Sequence, residues 1–209
     1  MTEAAPPSVY IIDDEKDVRV ALSLELRASG FAARPFASAA DFLDEVAHLA
    51  PGCLLLDVRM PGQGGIDLLD ELARREIRWP AVMMTAHGEV ATAVQAMKLG
   101  AVEFLEKPFG PEALQAALDR GFQTLSASAR QSGIRQQARD TYQSLTPREQ
   151  EVFRLVVQGN ASKTVALQLD LSHRTVEMHR ANMMRKLGAA TLVDLVRLAV
   201  ELGMPTERR

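Results

Sequence analysis

The stretch Cys53-Leu54-Leu55-Leu56-Asp57-Val58-Arg59-Met60-Pro61-Gly62 decides the fold. Cys53 to Leu56 is a short apolar run, the pattern of a central parallel strand covered on both faces. It ends in one carboxylate, Asp57, and the chain then breaks into Pro61-Gly62 and Gly64-Gly65, so a loop follows. Open α/β sheets place their chemistry just beyond the carboxyl ends of their strands. Alone, Asp57 reads equally well as a strand-terminating or helix-capping residue. What its neighbours bring to the same sheet edge decides between the two.

Working outward, the strand–helix alternation repeats. On the N-terminal side lie Val9-Tyr10-Ile11-Ile12, ending in Asp13-Asp14-Glu15; a helical pattern over Val18–Ser29 closed by Gly30; a second strand over Phe31–Phe36; and a helix after the N-cap candidate Ser38. On the C-terminal side follow a helix over Ile66–Arg75, a strand over Pro80–Thr85, a helix over Glu89–Leu99 closed by Gly100, and a strand over Ala101–Leu105 running into Glu106-Lys107-Pro108. A helix then starts at Pro111 and reaches about Leu125. Five alternations predict a doubly wound, five-stranded parallel sheet in a unit of residues 1–124. Right-handed crossovers put all strand ends on one edge, so Asp13, Asp14, Asp57, Thr85 and Lys107 converge there.

That convergence has a chemistry. Clustered carboxylates repel one another and favour a hard divalent cation, and oxygen ligands with retained waters suit Mg²⁺. Asp13, Asp14, Asp57 and the backbone carbonyl of Arg59 are the candidate ligands. Asp57 would act as a carboxylate nucleophile toward phosphorus, Lys107 would neutralise oxygens in the transition state, and the Thr85 hydroxyl would hydrogen-bond the bound phosphoryl group. Singly, each residue is as well read as a polar turn, a helix cap or a solvated charge; their joint placement is what speaks for a site.

With Met60-Pro61-Gly62, Gly65 and Lys107-Pro108-Phe109, this quintet resembles the receiver domain of bacterial two-component response regulators over roughly residues 8–124. The resemblance implies a flavodoxin-like fold, Mg²⁺ as cofactor, and phosphorylation of Asp57 by a sensor histidine kinase. It implies Asp14 as direct metal ligand, Asp13 acting through water, and a cis bond between Lys107 and Pro108. It also implies a switch, in which Thr85 moves toward the phosphoryl group and Phe104 turns inward. The runs Thr85-Ala86-His87-Gly88, Ala96-Met97-Lys98-Leu99-Gly100-Ala101 and Phe104-Leu105-Glu106 are similar to the FixJ-type subgroup, which implies a phosphorylation-dependent homodimer through the face around Val90–Lys98 and Val102–Leu105. His87 and Arg59 flank the site as candidates for tuning phosphoryl lifetime, or as plain loop residues.

The chain has 209 residues, 47% hydrophobic and 24% charged, enough for one large or two small domains. Residues 1–124 carry 11 Lys and Arg against 19 Asp and Glu, a net −8, and residues 125–209 carry 13 against 8, a net +5. The basic second part points to a polyanionic partner. No membrane-length apolar run and no signal-peptide pattern is present, and the one cysteine, Cys53, sits in an apolar run; a cytoplasmic protein without a membrane partner is expected.

Residues 125–144, rich in Ser, Gln, Ala and Arg, read as a linker, either flexible or continuing the preceding helix. Residues 145–209 read as a small all-α domain of four helices. Thr146-Pro147-Arg148-Glu149 is a capping box. A helix with Val152, Leu155 and Val156 inward follows, then a short one over Ser162–Leu169. A turn capped by Ser172 leads to a basic helix ending at Leu187, and a fourth helix runs from about Thr191 to Leu202. The middle pair describes a helix-turn-helix. On its second helix, Val176, His179, Met183 and Leu187 recur at core spacing, while Arg174, Glu177, Met178, Ala181 and Arg185 share the opposite face with the major groove as target. Lys163, Arg180 and Lys186 suit backbone phosphates, and Thr175 and His179 border the face. The run Ser172-His173-Arg174-Thr175-Val176-Glu177-Met178-His179-Arg180 and Lys186-Leu187-Gly188 look like the LuxR-type DNA-binding domain, with Ser162 where Asn is usual. The resemblance implies that the fourth helix pairs two such domains through Leu192, Leu195, Val196 and Ala199, a stripe that also suits packing against its own domain.

The expected function is a phosphorylation-dependent transcriptional regulator, not an enzyme, acting on promoter DNA with RNA polymerase as a further partner. Two alternatives differ in class. A phosphohydrolase using Asp57 would want a general acid two residues on, where Arg59 stands. A phosphorylation-dependent protein-binding module would lack salt-dependent duplex binding.

Overall fold

The structure is a computed structural model describing residues 5–86 and 90–206, so His87 and the predicted helix start at Glu89 lie outside the described residues. Five strands, β1 (Ser8–Ile12), β2 (Ala32–Phe36), β3 (Cys53–Asp57), β4 (Ala81–Thr85) and β5 (Ala101–Glu106), form one sheet in the order β2-β1-β3-β4-β5. Every pairing is parallel. With α1 (Lys16–Ala28), α2 (Ala39–Glu45), α3 (Gly65–Arg74), α4 (Val90–Lys98) and α5 (Pro111–Gln143) between and after the strands, this is the flavodoxin-like arrangement. A single 3₁₀ turn, Val46–His48, extends α2.

The strands bury both faces because their side chains alternate. Tyr10, Ile12, Leu54, Leu56, Ala81 and Met83 point to one face, where Phe42 of α2, Leu68 and Leu72 of α3 and Ala96 of α4 meet them. Val9, Ile11, Cys53, Leu55, Val82 and Met84 point to the other, under Leu22 and Leu26 of α1 and Leu114, Ala117 and Leu118 of α5. Each buried leucine contributes about 1.5–3 kcal/mol. Burial pushes the Cys53 thiol up to about 12, so it stays an inert core residue.

Two close approaches fix the surroundings of β3. A Cβ on Gly121 would lie 2.6 Å from Cys53 Sγ, so α5 packs directly on the strand. A Cβ on Gly65 would lie 2.2 Å from the Asp57 carbonyl oxygen, a backbone atom that cannot step aside. Gly65→Ala is therefore expected to cost about 1–3 kcal/mol and to displace the loop after Asp57; a midpoint shift in urea, read together with phosphoryl uptake, checks it.

The described chain divides into two compact units, residues 1–128 and 129–209. The stretch left open between coil and helix is helical: α5 continues to Gln143, and Ala, Gln and Arg outweigh Gly133. In the second unit the end of α5 gives Ala138 and Tyr142 to the core, with the Tyr142 ring edge-on to Phe153 at 5.3 Å. The other helices there are α6 (Pro147–Val157), α7 (Ser162–Leu169), α8 (His173–Leu187) and α9 (Leu192–Glu201).

The stripe expected on α9 is split between the two roles open to it, packing on its own domain and facing outward. Leu195 and Ala199 are buried in their own core, while Leu192, Val193 and Val200 are exposed. α9 is apolar nearly all round, so its spacing does not select the outward face.

Glu149 ties two helices together. It closes the capping box of α6, accepting from the Thr146 N–H at 2.8 Å, and the same Oε2 accepts from Lys186 Nζ on α8 at 2.7 Å. Burial acts to raise its pKa, but the Lys186 bond, with those of Thr146, outweighs burial and holds it below its ordinary value of 4.5. A carboxylate depressed in the fold contributes stability that is present above the unfolded value and lost as pH falls through the folded one. Glu149→Gln is expected to cost about 1–3 kcal/mol at pH 7 and to flatten the acid decline of the second unit's melting point below pH 4.5. Calorimetry across that range checks both.

Candidate functional site

The predicted residues meet at the carboxyl edge of the sheet. Asp13, directly after β1, is fully buried; its Oδ1 accepts from the Glu15 N–H at 2.8 Å. Asp57 ends β3 and is 7% exposed, with Oδ2 accepting from the Arg59 N–H at 2.7 Å. Lys107, just past β5, is placed by its N–H donating to the Thr85 carbonyl at 2.7 Å. Its Nζ reaches Asp57 Oδ1 at 2.6 Å and Asp13 Oδ2 at 2.7 Å, bridging side chains 50 and 94 residues away. Thr85 is buried at the end of β4, and the Lys107–Pro108 bond is cis as the resemblance implied. Asp14 is exposed at the mouth, and Phe104 is half-buried against the core beside α4.

Two carboxylates share one ammonium, leaving a net −1 in a largely desolvated crevice. Burial raises the Asp57 pKa, and the nearby Asp13 charge adds to this, while Lys107 and the Arg59 N–H pull it down. For Lys107, burial favours the neutral amine, but the bonds to Asp13 and Asp57 outweigh it and hold the ammonium above its ordinary value. Lys107 therefore remains a cation throughout the neutral range. Among the described residues no three His, Cys, Asp or Glu side chains stand at metal-ligand spacing, because Asp14 faces outward and Lys107 lies between Asp13 and Asp57. The donor set nevertheless fits Mg²⁺, which takes one or two carboxylates and keeps several waters.

Beside this crevice α4 and β5 frame an apolar groove of about 640 Å³, lined by Val90, Val94, Met97 and Phe104, with Lys98 and Glu106 at its rim.

In the second unit α7 and α8 form the helix-turn-helix. Asp170 closes α7 in the left-handed region at φ 53, and the Ser172 hydroxyl caps α8, accepting from the Thr175 N–H at 3.0 Å. Lys163, Arg174, Glu177, Met178, Ala181 and Arg185 are exposed; Thr175 and His179 are half-buried. Sequence reasoning missed the partners of two basic residues. Lys186 is held by Glu149, and Arg180 Nη1 donates to the buried Ser162 hydroxyl at 2.6 Å. Only the separations of 37 and 18 residues across helix ends carry these pairs, and no local periodicity signals them.

Residues 9–119 match the family described as response regulator receiver domain, and residues 143–199 match the bacterial regulatory proteins of the luxR family. The chain is 44% identical to the transcriptional regulatory protein FixJ of Azorhizobium caulinodans over 98% of this chain and 96% of that protein. It is 39% identical to the response regulator protein TmoT of Ectopseudomonas mendocina over 93% of this chain and 88% of that one. Among solved structures it resembles the response regulator StyR with a TM-score of 0.78 at 39% identity, covering 94% of this chain and all of that one. It also resembles full-length FixJ from B. japonicum with a TM-score of 0.59 at 40% identity, covering 95% and 98%.

Proposed function

The chain belongs to the FixJ-type response regulators, phosphorylation-dependent transcription regulators of two-component systems, and from that premise we propose that Asp57 is its phosphoacceptor and α8 its DNA reader. Receiver domains of this kind bind Mg²⁺ at the phosphorylation site and take their phosphoryl group from a histidine kinase, and LuxR-type domains bind DNA. The observation that carries the site-level reading is the Lys107 ammonium, within 2.7 Å of both buried carboxylates.

An Asp57 carboxylate oxygen attacks the phosphorus of the kinase phosphohistidine. The oxygen–phosphorus bond forms, the phosphorus–nitrogen bond breaks, and the imidazole leaves with its electron pair. Lys107 neutralises developing charge on the transferred oxygens. Asp13, Asp14, Asp57 and the Arg59 carbonyl would hold Mg²⁺, which would supply charge neutralisation and templating when bound. The buried Thr85 hydroxyl turns toward the new phosphoryl group, and Phe104 moves inward from the groove edge. That reshapes the α4–β5 face, where Val90, Val94 and Met97 are 78, 47 and 51% exposed, and a second copy docks there.

Dimerisation presents two copies of α8 to successive half-sites. Arg174, Glu177, Met178, Ala181 and Arg185 face base edges, Thr175 and His179 border them, and Lys163 and Lys186 face phosphates. Lys186 serves this role from its structural pair with Glu149. The protein acts in the cytoplasm, recruits RNA polymerase and turns over no substrate of its own; among the described residues no helix is long and apolar enough to cross a membrane.

Acetyl phosphate with Mg²⁺ is expected to raise affinity for promoter duplexes at least tenfold, and chelation of the metal before treatment to abolish the gain. Fluorescence anisotropy checks this. A gain that survives chelation contradicts the assignment of the crevice.

A further inference from the structure

The buried Ser162 hydroxyl does not serve α7. The N-cap of that helix is Ala161, which makes no side-chain capping bond, and Ser162 follows it at the first helical position, 7% exposed. Its Oγ instead accepts from Arg180 Nη1 at 2.6 Å, a bond that crosses the helix-turn-helix from α7 to α8. The same Nη1 stands 3.6 Å from Glu177 Oε1, one turn earlier on α8. The guanidinium is thus gripped by a buried hydroxyl on one side and faces a half-exposed carboxylate on the other.

A carboxylate on a DNA-facing helix is repelled by the phosphates and has several rotamers to choose from. A cation fixed beside it offsets that repulsion and narrows its directions. An arginine anchored only by an exposed partner would do neither well, because it would give up rotamer freedom for a screened contact. The anchor on Ser162 removes that freedom beforehand, since the hydroxyl is already desolvated and the bond is charge-assisted.

We propose that Ser162 is a positioning residue for sequence reading: through Arg180 it aims the Glu177 carboxylate at a base edge in the major groove, selecting cytosine, whose N4 amino group donates without the N7 lone pair that stands beside adenine N6 and repels a carboxylate. This rests on the reading of α8 as the DNA reader and assigns its specificity at one position. A carboxylate accepts from cytosine N4, so cytosine is the selected base.

The test uses the full chain treated with beryllofluoride and Mg²⁺ and a library of random-sequence duplexes, with enriched sequences read by counting. Glu177→Gln identifies the position that Glu177 reads, as the one whose cytosine preference falls about tenfold. Ser162→Ala and Arg180→Lys are expected to lose preference at that same position to a similar degree, while preferences elsewhere in the site stay at wild-type values. Arg180→Lys keeps the charge but not the forked geometry, so the role is tested without emptying the buried Ser162 position. Wild-type preference at that position in Ser162→Ala overturns the proposal, as does a uniform loss at all positions, which is what a purely structural role gives. A Glu177→Gln protein with unchanged preferences also overturns it. If the wild-type chain enriches no sequence at all, it is the DNA-reading assignment that fails, an outcome distinct from the others.

Discussion

Asp57→Asn is expected to reduce phosphoryl incorporation from acetyl phosphate to background, a loss of at least about a hundredfold, since an amide lacks the nucleophilic carboxylate oxygen. It is also expected to abolish the rise in duplex affinity. The change is nearly isosteric, so packing around β3 is retained. Stability separates loss of chemistry from loss of fold. Burial raises the Asp57 pKa above 3.8 in the folded chain. A carboxyl raised in this way binds its proton more tightly when folded, so its ionisation weakens the fold as pH rises above that value. Removing the charge is therefore expected to leave the melting temperature at pH 7 unchanged or higher, even though one Lys107 bond is altered. Phosphate-affinity electrophoresis and a thermal melt on the same sample check both. A melting temperature that collapses would mean the Asp57–Lys107 pair is a structural strut before it is a phosphoacceptor site.

Val94→Asp is expected to separate phosphorylation from assembly. Val94 is 47% exposed in the α4–β5 groove, so the substitution leaves the monomer's stability within about 0.5 kcal/mol. In a dimer two such carboxylates would be desolvated against Val90 and Met97 of the partner copy, a burial that an unpaired charge resists strongly. The variant should take up phosphoryl groups at the wild-type rate yet remain monomeric. Its affinity for a two-half-site duplex should fall about a hundredfold, the advantage that tethering two reading helices supplies. Wild-type duplex affinity in a monomeric Val94→Asp protein would show that the α4 face does not couple the receiver to DNA.

The elements most legible in the sequence are those whose type follows from local chemistry. A five-residue apolar strand ending in a carboxylate, repeated with helices between, leaves few ways to pack, and the parallel sheet with its converging ends follows. The same holds for the capping boxes at Thr146 and the tight turn before Ser172. What was not legible depends on tertiary distance or on degenerate pattern. That Asp13 is buried on Lys107 while Asp14 faces solvent cannot be read from two adjacent aspartates. The stretch 125–144 has composition that suits helix or coil, and Ala138 and Tyr142 become core residues only once α6 is there to pack against. Which residues of the α9 stripe pack inward is not legible either, because Leu192, Val193, Leu195, Val196, Ala199 and Val200 surround the helix. Arg180 and Lys186, placed by sequence at backbone phosphates, hold partners on α7 and α6 that no periodicity announces.

A phosphoryl group on Asp57 is expected to convert the chain from monomer to dimer. The most direct test is the mass of the full chain by light scattering, before and after addition of beryllofluoride and Mg²⁺. The account predicts the mass of one 22.9 kDa chain before and of two after, with no change in the Asp57→Asn protein. A mass that stays the same in the wild-type chain, whether at one copy or already at two, contradicts it.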